Sequence, residues 1–466
     1  MKPSLILINP WVHDFAAYDL WAKPMGLLHL AAHLRAFGFH IHLVDCLDVH
    51  HPSMEKGFSS PKPVRRLYGT GKFPRTEVKK PKPLEHISRP YSRYGISPDA
   101  FIQALERVRE PQAILVTSLM TYWYPGVKET IGLAREIHPG VPVILGGIYA
   151  RLCPEHAREQ AGADAVVREP DAGHRPLAWL EAHGISAPEP LAASRPQPYP
   201  AFDLLTRLDY VCLLTSSGCP FRCRYCASRL LSPHFSQRDP ADVLGEILYW
   251  HRAFGVRDFA FYDDALLIGA DAHLSVILTE LLRQRLDLRF HTPNALHARE
   301  VTAEIASLMK RAGFRTIRLG LESADFSLHR KLDDKVAEGD FERAVARLLE
   351  AGFDHNQIGA YVLMGLPGQS VDSVLKTLDL VDEAGAVPYL SEYSPIPGTA
   401  LWEEAVLCSD YELLSEPLFH NNTLLPCWSP AQRRSLPLLK RRVSQIREKY
   451  RHLRESMRDR GKGPFP

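Results

Sequence analysis

Apolar residues along this chain follow two alternating rhythms. Residues 5–8 form a short unbroken apolar run, the pattern of a strand buried on both faces. Residues 25–37 change to helical spacing through Leu27, Leu28, Leu30, Ala31 and Leu34, and Gly38 ends the run. The same reading predicts strands at 41–44, 113–116 and 143–145, a helix at 127–137, and a turn at Gly146 and Gly147. Strand and helix in alternation predict an α/β fold, here a Rossmann-like doubly wound parallel sheet. Beyond residue 205 the alternation resumes. A strand beginning at Tyr210 is followed by strands at 259–262, 289–292, 316–321, 358–364 and 388–393, with helices between them such as 241–254 and 342–351. Six such units predict a partial (β/α)6 barrel with its chemistry at the C-terminal strand ends. The chain then reads as a helical tail.

The pattern divides the chain into a Rossmann-like domain at 1–183, a proline-rich linker at 184–205, a barrel at 206–400 and a helical C-terminal region at 401–466. The first domain is interrupted at 52–98 by a proline-rich stretch with eleven Lys/Arg against three Asp/Glu. Phe58, Tyr68, Phe73, Tyr91 and Tyr94 are set among those charges. A loop of this length inside a domain is a lid, a binding segment or a disordered stretch. The alternation of aromatic and charged residues favours a lid over the domain interface. Residues 432–462 hold twelve Lys/Arg and three Asp/Glu. Both basic segments suit RNA or another anionic partner, although a solvated helix is the plainer expectation for the tail.

Charge otherwise says little. The formal net charge is +2 over 466 residues, so no whole-molecule field points to nucleic acid or a membrane. No apolar run is long enough to span a bilayer. The apolar start is too short for a signal peptide and is broken at Asn9-Pro10, so a cytoplasmic protein is expected.

Of eight cysteines, Cys46, Cys153, Cys212, Cys408 and Cys427 are scattered and three are clustered. A secreted disulfide scaffold would be smaller and denser in cysteine, so a metal site in a reducing compartment fits better. Cys219, Cys223 and Cys226 stand at CxxxCxxC spacing directly after a strand end. Three thiolates within eight residues can grip one face of a cubane. A [4Fe-4S] cluster normally takes four cysteines, and a missing fourth leaves one iron open, as catalytic metal sites do. The alternative is a zinc site with His234 or another residue as fourth ligand, but no second CxxC pair is present. Cys408 and Cys427 are candidate hydrogen donors, with inert buried thiols the commoner outcome.

Residues 210 to about 400 resemble the radical S-adenosylmethionine (SAM) superfamily, whose signature is CxxxCx(aromatic)C, with Tyr225 at the aromatic position. The resemblance implies that Tyr225 packs on adenine and that the open iron chelates SAM. A Gly-Gly-Glu motif often stands at the second strand end; here it reads Tyr262-Asp263-Asp264, and an acidic side chain there still accepts from the SAM ammonium. Glu322 and Ser323 match the ribose and methionine contact site, and Gly365 and Pro367 a backbone approach to adenine. A helix cap at Asp263 or Asp264 and a plain turn at 364–368 are the competing readings. The implied reaction takes one electron from a reduced flavodoxin or ferredoxin, cleaves SAM to methionine and a 5′-deoxyadenosyl radical, and draws hydrogen from a substrate.

The run from Lys23 to Gly38 resembles the opening of the cobalamin-binding domains attached to such barrels. Thr117-Ser118-Leu119 and, after an interval of twenty-six residues, Gly146-Gly147 match them again. The usual cobalt-ligating Asp-x-His-x-x-Gly is missing after the first strand. Asp48-Val49-His50 imitates it after the second strand and is read as a solvated loop. Cobalamin with no protein histidine on cobalt is therefore expected, Trp11 and His13 being the residues in the loop where a ligand would stand. The resemblance implies cobalamin-dependent methyl transfer to an unactivated carbon. A cobalamin-free radical enzyme performing rearrangement, oxidation or thioether formation is the alternative, as is a non-catalytic iron–sulfur or RNA-binding protein.

Overall fold

The computed structural model describes residues 3–55, 65–168, 176–188, 198–333 and 335–460. The chain forms two units, one of residues 1–209 with 416–420 and one of residues 210–415 with 421–466.

In the first unit, β1 (Ser4–Asn9), β2 (His40–Asp45), β3 (Ala113–Val116), β4 (Val143–Leu145) and β5 (Ala165–Val166) form one parallel sheet in the order β5-β4-β3-β1-β2. Alternate residues of β1 serve opposite faces. Leu5 and Leu7 pack under the helix Met25–Ala36, and Ile6 and Ile8 pack with Phe101, Leu105, Val127 and Ile131 on the other side. Both faces are covered, which is why the strands read as continuous apolar runs. The order reverses between β1 and β3, so their C-terminal ends border the crevice where doubly wound sheets bind ligands. β5 lies outside the expected set because two half-buried residues leave no hydrophobic run.

The basic insertion departs from the loop expected of it. Gly71–Lys72 pairs with Tyr18–Asp19. Ser92–Tyr94 pairs with both Val12–Asp14 and Arg75–Glu77, which makes a small antiparallel sheet on the segment after β1. Phe73, Leu84, Tyr91 and Tyr94 are buried there, so these residues supply a core and no mobile surface. Phe58 lies outside the described residues, as do residues 189–197 of the linker.

In the second unit, β6 (Val211–Leu213), β7 (Asp258–Phe261), β8 (Arg289–His291), β9 (Phe314–Glu322), β10 (Ile358–Met364) and β11 (Val387–Glu392) lie parallel in sequence order, the partial barrel expected. One further short strand, Leu296–His297, pairs with Leu319 and Gly320 of β9. The crossover helices follow their cues. Asp239 caps Pro240–Phe254 through the Ala241 N–H, and Gly255 ends it in the left-handed conformation. Along β9, Ile317, Leu319 and Leu321 are fully buried, whereas Gly320 and Glu322 border a cavity at the strand end. The last helix, Leu436–Arg460, packs along this unit. Tyr450 donates to the Asp382 carbonyl at 2.6 Å, and Arg442 and Lys449 pair with the Asp382 carboxylate at 3.0 and 2.6 Å. That consumes part of the basic charge of the tail.

Candidate active site

After β6 the chain turns through Ser216–Ser217, which pairs with Ser236–Gln237 and closes the loop that carries the three clustered thiols. Gly218 stands at φ 73°, and a Cβ there would lie 2.5 Å from the His234 carbonyl oxygen, so glycine alone lets the loop close. Asp263 underpins the turn. Its Oδ1 accepts the Thr215 N–H at 2.9 Å and the Thr215 and Ser216 hydroxyls at 2.8 and 2.6 Å. Its Oδ2 is buried and has no hydrogen-bond partner among the described residues. Burial outweighs these hydrogen bonds and pushes the Asp263 carboxyl up to about 6.

The pH dependence has a definite sign. A carboxyl whose folded pKa lies above its unfolded value binds more protons when folded, so its share of stability is greatest below the unfolded pKa. That share declines as pH rises through the folded pKa. From pH 5 to 7.5 the loss at Asp263 should be about 1 kcal/mol. Asp263→Asn should remove this slope. Urea unfolding of the two proteins at both pH values checks it, and parallel pH slopes would refute the assignment.

A cavity of about 400 Å³ opens beside the loop. Cys219, Cys223, Tyr225 and Cys226 line it together with Asp264 and Glu322. Burial pushes the Cys219 thiol up and the Cys223 thiol up to about 12, while Lys335 nearby works the other way. Thiols in such a place become thiolates only beside strong positive charge, which bound iron provides. Among the described residues no three His, Cys, Asp or Glu side chains converge on a point that one ion would fill. A cubane asks for something different, one thiolate at each of three separate irons, and three cysteines on a shared cavity fit that donor set.

Glu322 ends β9 in the left-handed conformation, at φ 63°, and is buried. Its Oε1 lies 3.6 Å from Lys335 Nζ. Burial raises the Glu322 pKa, and Lys335 opposes the rise. Burial works against the Lys335 ammonium in turn, yet Glu322, Cys223 and Asp333 around it hold its pKa above the ordinary lysine value. Lys335 Nζ also sits 5.6 Å from the Tyr225 ring centroid, and the Tyr225 hydroxyl donates to Asp333 at 3.2 Å. Asp264 accepts the Ser228 hydroxyl.

Four expected contacts lie elsewhere. Asp263 does not border the cavity, because its carboxylate is spent on Thr215 and Ser216. Ser323 is buried outside the lining, its Oγ accepting the Asp325 N–H at 3.1 Å. Gly365 turns toward the tail, where a Cβ would meet Leu425 Cδ2 at 3.0 Å, and Pro367 beside it is also outside the lining. Sequence reasoning missed Lys335, Asn294 and His297, which do line the cavity. His297 stacks on Phe221 of the cysteine loop at 4.4 Å, and its Nδ1 is buried without a partner. Burial, with Lys335 and Arg299 nearby, holds its pKa down at about 3. Reading the residues just past β8 as a strand-end loop would have found Asn294 and His297. Lys335 follows a helix after β9 and carries no comparable signal.

In the first unit Thr117 and Ser118 follow β3. The Ser118 hydroxyl donates to the Gly146 carbonyl at 2.6 Å. A Cβ on Gly147 would strike the Ser118 carbonyl oxygen at 2.2 Å, whereas one on Gly146 meets nothing within 4 Å. Gly147 therefore serves close packing, and Gly146 leaves room for a ligand. His13 Nε2 lies 2.8 Å from Glu129, and His50 Nε2 lies 2.6 Å from Asp209.

The model of the Radical SAM superfamily matches residues 213–381, and that of the B12 binding domain matches residues 91–175. Residues 213–381 thus carry a radical SAM domain and residues 91–175 a B12-binding domain. As a radical SAM enzyme it works with a [4Fe-4S] cluster and SAM, and its B12-binding domain adds cobalamin. The B12 match spans β3 to β5 and leaves β1, β2 and most of the insertion outside. The chain is 24% identical over 328 residues to an uncharacterized methyltransferase of Pyrococcus horikoshii, covering 64% of this chain and 70% of that one. It is 26% identical to an uncharacterized methyltransferase of Synechocystis, covering 56% of this chain and only 51% of the relative. The solved structure of the radical SAM methyltransferase TsrM from Kitasatospora setae, with cobalamin and a [4Fe-4S] cluster bound, has the same fold. It matches with a TM-score of 0.62 at 17% identity, over 88% of this chain and 76% of that one. Among the described residues no helix is long and apolar enough to cross a membrane.

Proposed function

We propose that this radical SAM enzyme transfers a methyl group from cobalamin to an unactivated carbon of its substrate. The observation that carries the reading is one cavity at the strand ends of a radical SAM barrel, lined by three cysteines and Glu322, in a chain that also holds a B12-binding domain. The methyltransferase names of its relatives support the reaction type. Cys219, Cys223 and Cys226 would hold the cluster. Asp264 would accept from the SAM ammonium and Glu322 from the ribose hydroxyls, with Tyr225 beside the adenine. Asp263 becomes a positioning residue beneath the cysteine loop. When bound, the cofactors supply an electron for carbon–sulfur cleavage and a methyl group for transfer. The protein orients the reactants and excludes water.

Thr117, Ser118, Gly146 and Gly147 would border the cobalamin, with Gly146 leaving space for its nucleotide tail. No histidine in the segment after β1 is free for cobalt, because His13 faces Glu129, which Arg93 also engages at 2.6 Å. The expected result is retained cob(II)alamin without nitrogen superhyperfine splitting from a protein ligand. Anaerobic reconstitution with hydroxocobalamin, desalting and electron paramagnetic resonance check it. Splitting that vanishes in His13→Ala would refute the no-histidine reading. Failure to retain cobalamin would favour the cobalamin-free radical reaction instead.

A further inference from the structure

The cysteine loop has an unusual charge balance. From Gly218 to Arg238 there are four arginines and no aspartate or glutamate. Two of the four are neutralised, Arg224 by Glu404 at 2.7 Å and Arg238 by Asp242 and Glu246. Arg222 and Arg229 are exposed, and no ion pair joins either to another described residue. Arg222 lies inside the motif, adjoining Cys223, and Arg229 lies three residues past Cys226. Leu230, next to Arg229, is 44% exposed, and Cys226 is itself exposed. Lys331 adds a third exposed cation, one residue before Leu332, whose carbonyl accepts the Arg224 N–H at 2.8 Å. The loop is no floppy surface, since Gly218 seats against the Ser232 and His234 carbonyls and the Ser216–Ser217 ladder closes its base.

From this arrangement we infer that the outer face of the cysteine loop, bearing Arg222, Arg229 and the exposed Leu230, is the docking surface for an acidic one-electron carrier protein. The inference rests on the proposed role of the three cysteines. Charge complementarity selects the occupant: the loop that would hold the cluster exposes Arg222 and Arg229, which no ion pair joins to another described residue, with Leu230 and Cys226 exposed on the same loop. A polyanion such as RNA would call for a longer track of cations than three. Transfer balances as one electron lost by the reduced carrier and one gained by the cluster, with no bond made or broken. The exposed arginines act on encounter, where steering raises association rates about 10- to 1,000-fold and fades with salt.

The test uses the full-length, anaerobically reconstituted protein. Cluster reduction is followed by absorbance with two reductants, flavodoxin hydroquinone and the small photoreduced deazaflavin radical. In Arg222→Glu/Arg229→Glu the second-order rate with flavodoxin should fall about tenfold or more and lose its salt dependence. The deazaflavin rate should hold. Arg222→Ala/Arg229→Ala should fall less, in the same direction, and guards against a reversal that disturbs folding. An unchanged flavodoxin rate would overturn the proposal, as would an equal fall with both reductants. Weakened tRNA binding at an unchanged flavodoxin rate would assign the surface to RNA. Iron content and deazaflavin reduction of the unaltered protein report separately on the cluster reading.

Discussion

Replacing Cys219, Cys223 or Cys226 by alanine should abolish both the iron–sulfur absorbance after anaerobic reconstitution and the cleavage of SAM. Three thiolates are the minimum that holds a four-iron cluster while keeping one iron open, so the site has no spare ligand. The remaining cysteines cannot step in. Cys212 is fully buried within β6, and Cys408 and Cys427 meet each other and the Ala405 carbonyl, outside the cavity lining. Serine is a weaker test than alanine because its oxygen can still approach iron. Each variant should unfold in urea close to the parent apoprotein, since none of the three thiols is fully buried and they bond little else. A variant that kept full iron and full cleavage would remove these residues from the cluster and with it the proposed chemistry.

Glu322→Ala should weaken SAM binding roughly 10- to 100-fold while the cluster still assembles. The estimate is the loss of a charge-assisted hydrogen bond, about 1.5–3 kcal/mol. The structure adds a complication and a control. Glu322 faces Lys335 in a buried setting, and removing one member of a buried pair costs about 3–5 kcal/mol by stranding the other charge. Glu322→Ala alone therefore threatens the fold around the cavity as well as the ligand. Glu322→Ala/Lys335→Met removes both charges and should recover stability without recovering SAM affinity. Isothermal titration with SAM, alongside urea unfolding of the same proteins, separates the two effects. Recovered affinity in the double variant would make Glu322 a structural residue and leave the ribose contact to another side chain. Glu322→Gly strands Lys335 as Glu322→Ala does but relieves the left-handed backbone, so its stability relative to Glu322→Ala measures the strain stored there.

Fold and site differ in how far a local pattern along the chain can carry them. The six barrel strands were legible to within a few residues from their short apolar or alternating patterns between helical stretches, and β10 matches its expected bounds. The cysteine loop was legible because CxxxCxxC is a spacing, and spacing survives in one dimension. Asp264 and Glu322 were singled out by their places at strand ends and Tyr225 by its place in the cysteine motif, and all three line the cavity. The division of labour between Asp263 and Asp264 was not. Adjacent residues of a turn point in different directions, and only the packing sends Asp263 to the buried Thr215 and Ser216 donors while Asp264 meets the cavity.

The sequence by itself determined the class of fold, the two alternating units and the three-thiol motif, because periodicity and spacing are local properties of the chain. Tertiary structure decided the rest. It folded the basic insertion into a small sheet around Tyr91 and Tyr94, since a strand partner 78 residues away cannot be seen in a local window. It turned Gly365 toward Leu425 of the tail, and it brought Lys335 to Glu322 and His297 to Phe221. Each of these pairings depends on where distant strands and helices come to rest, and that is set by burial of the core they share.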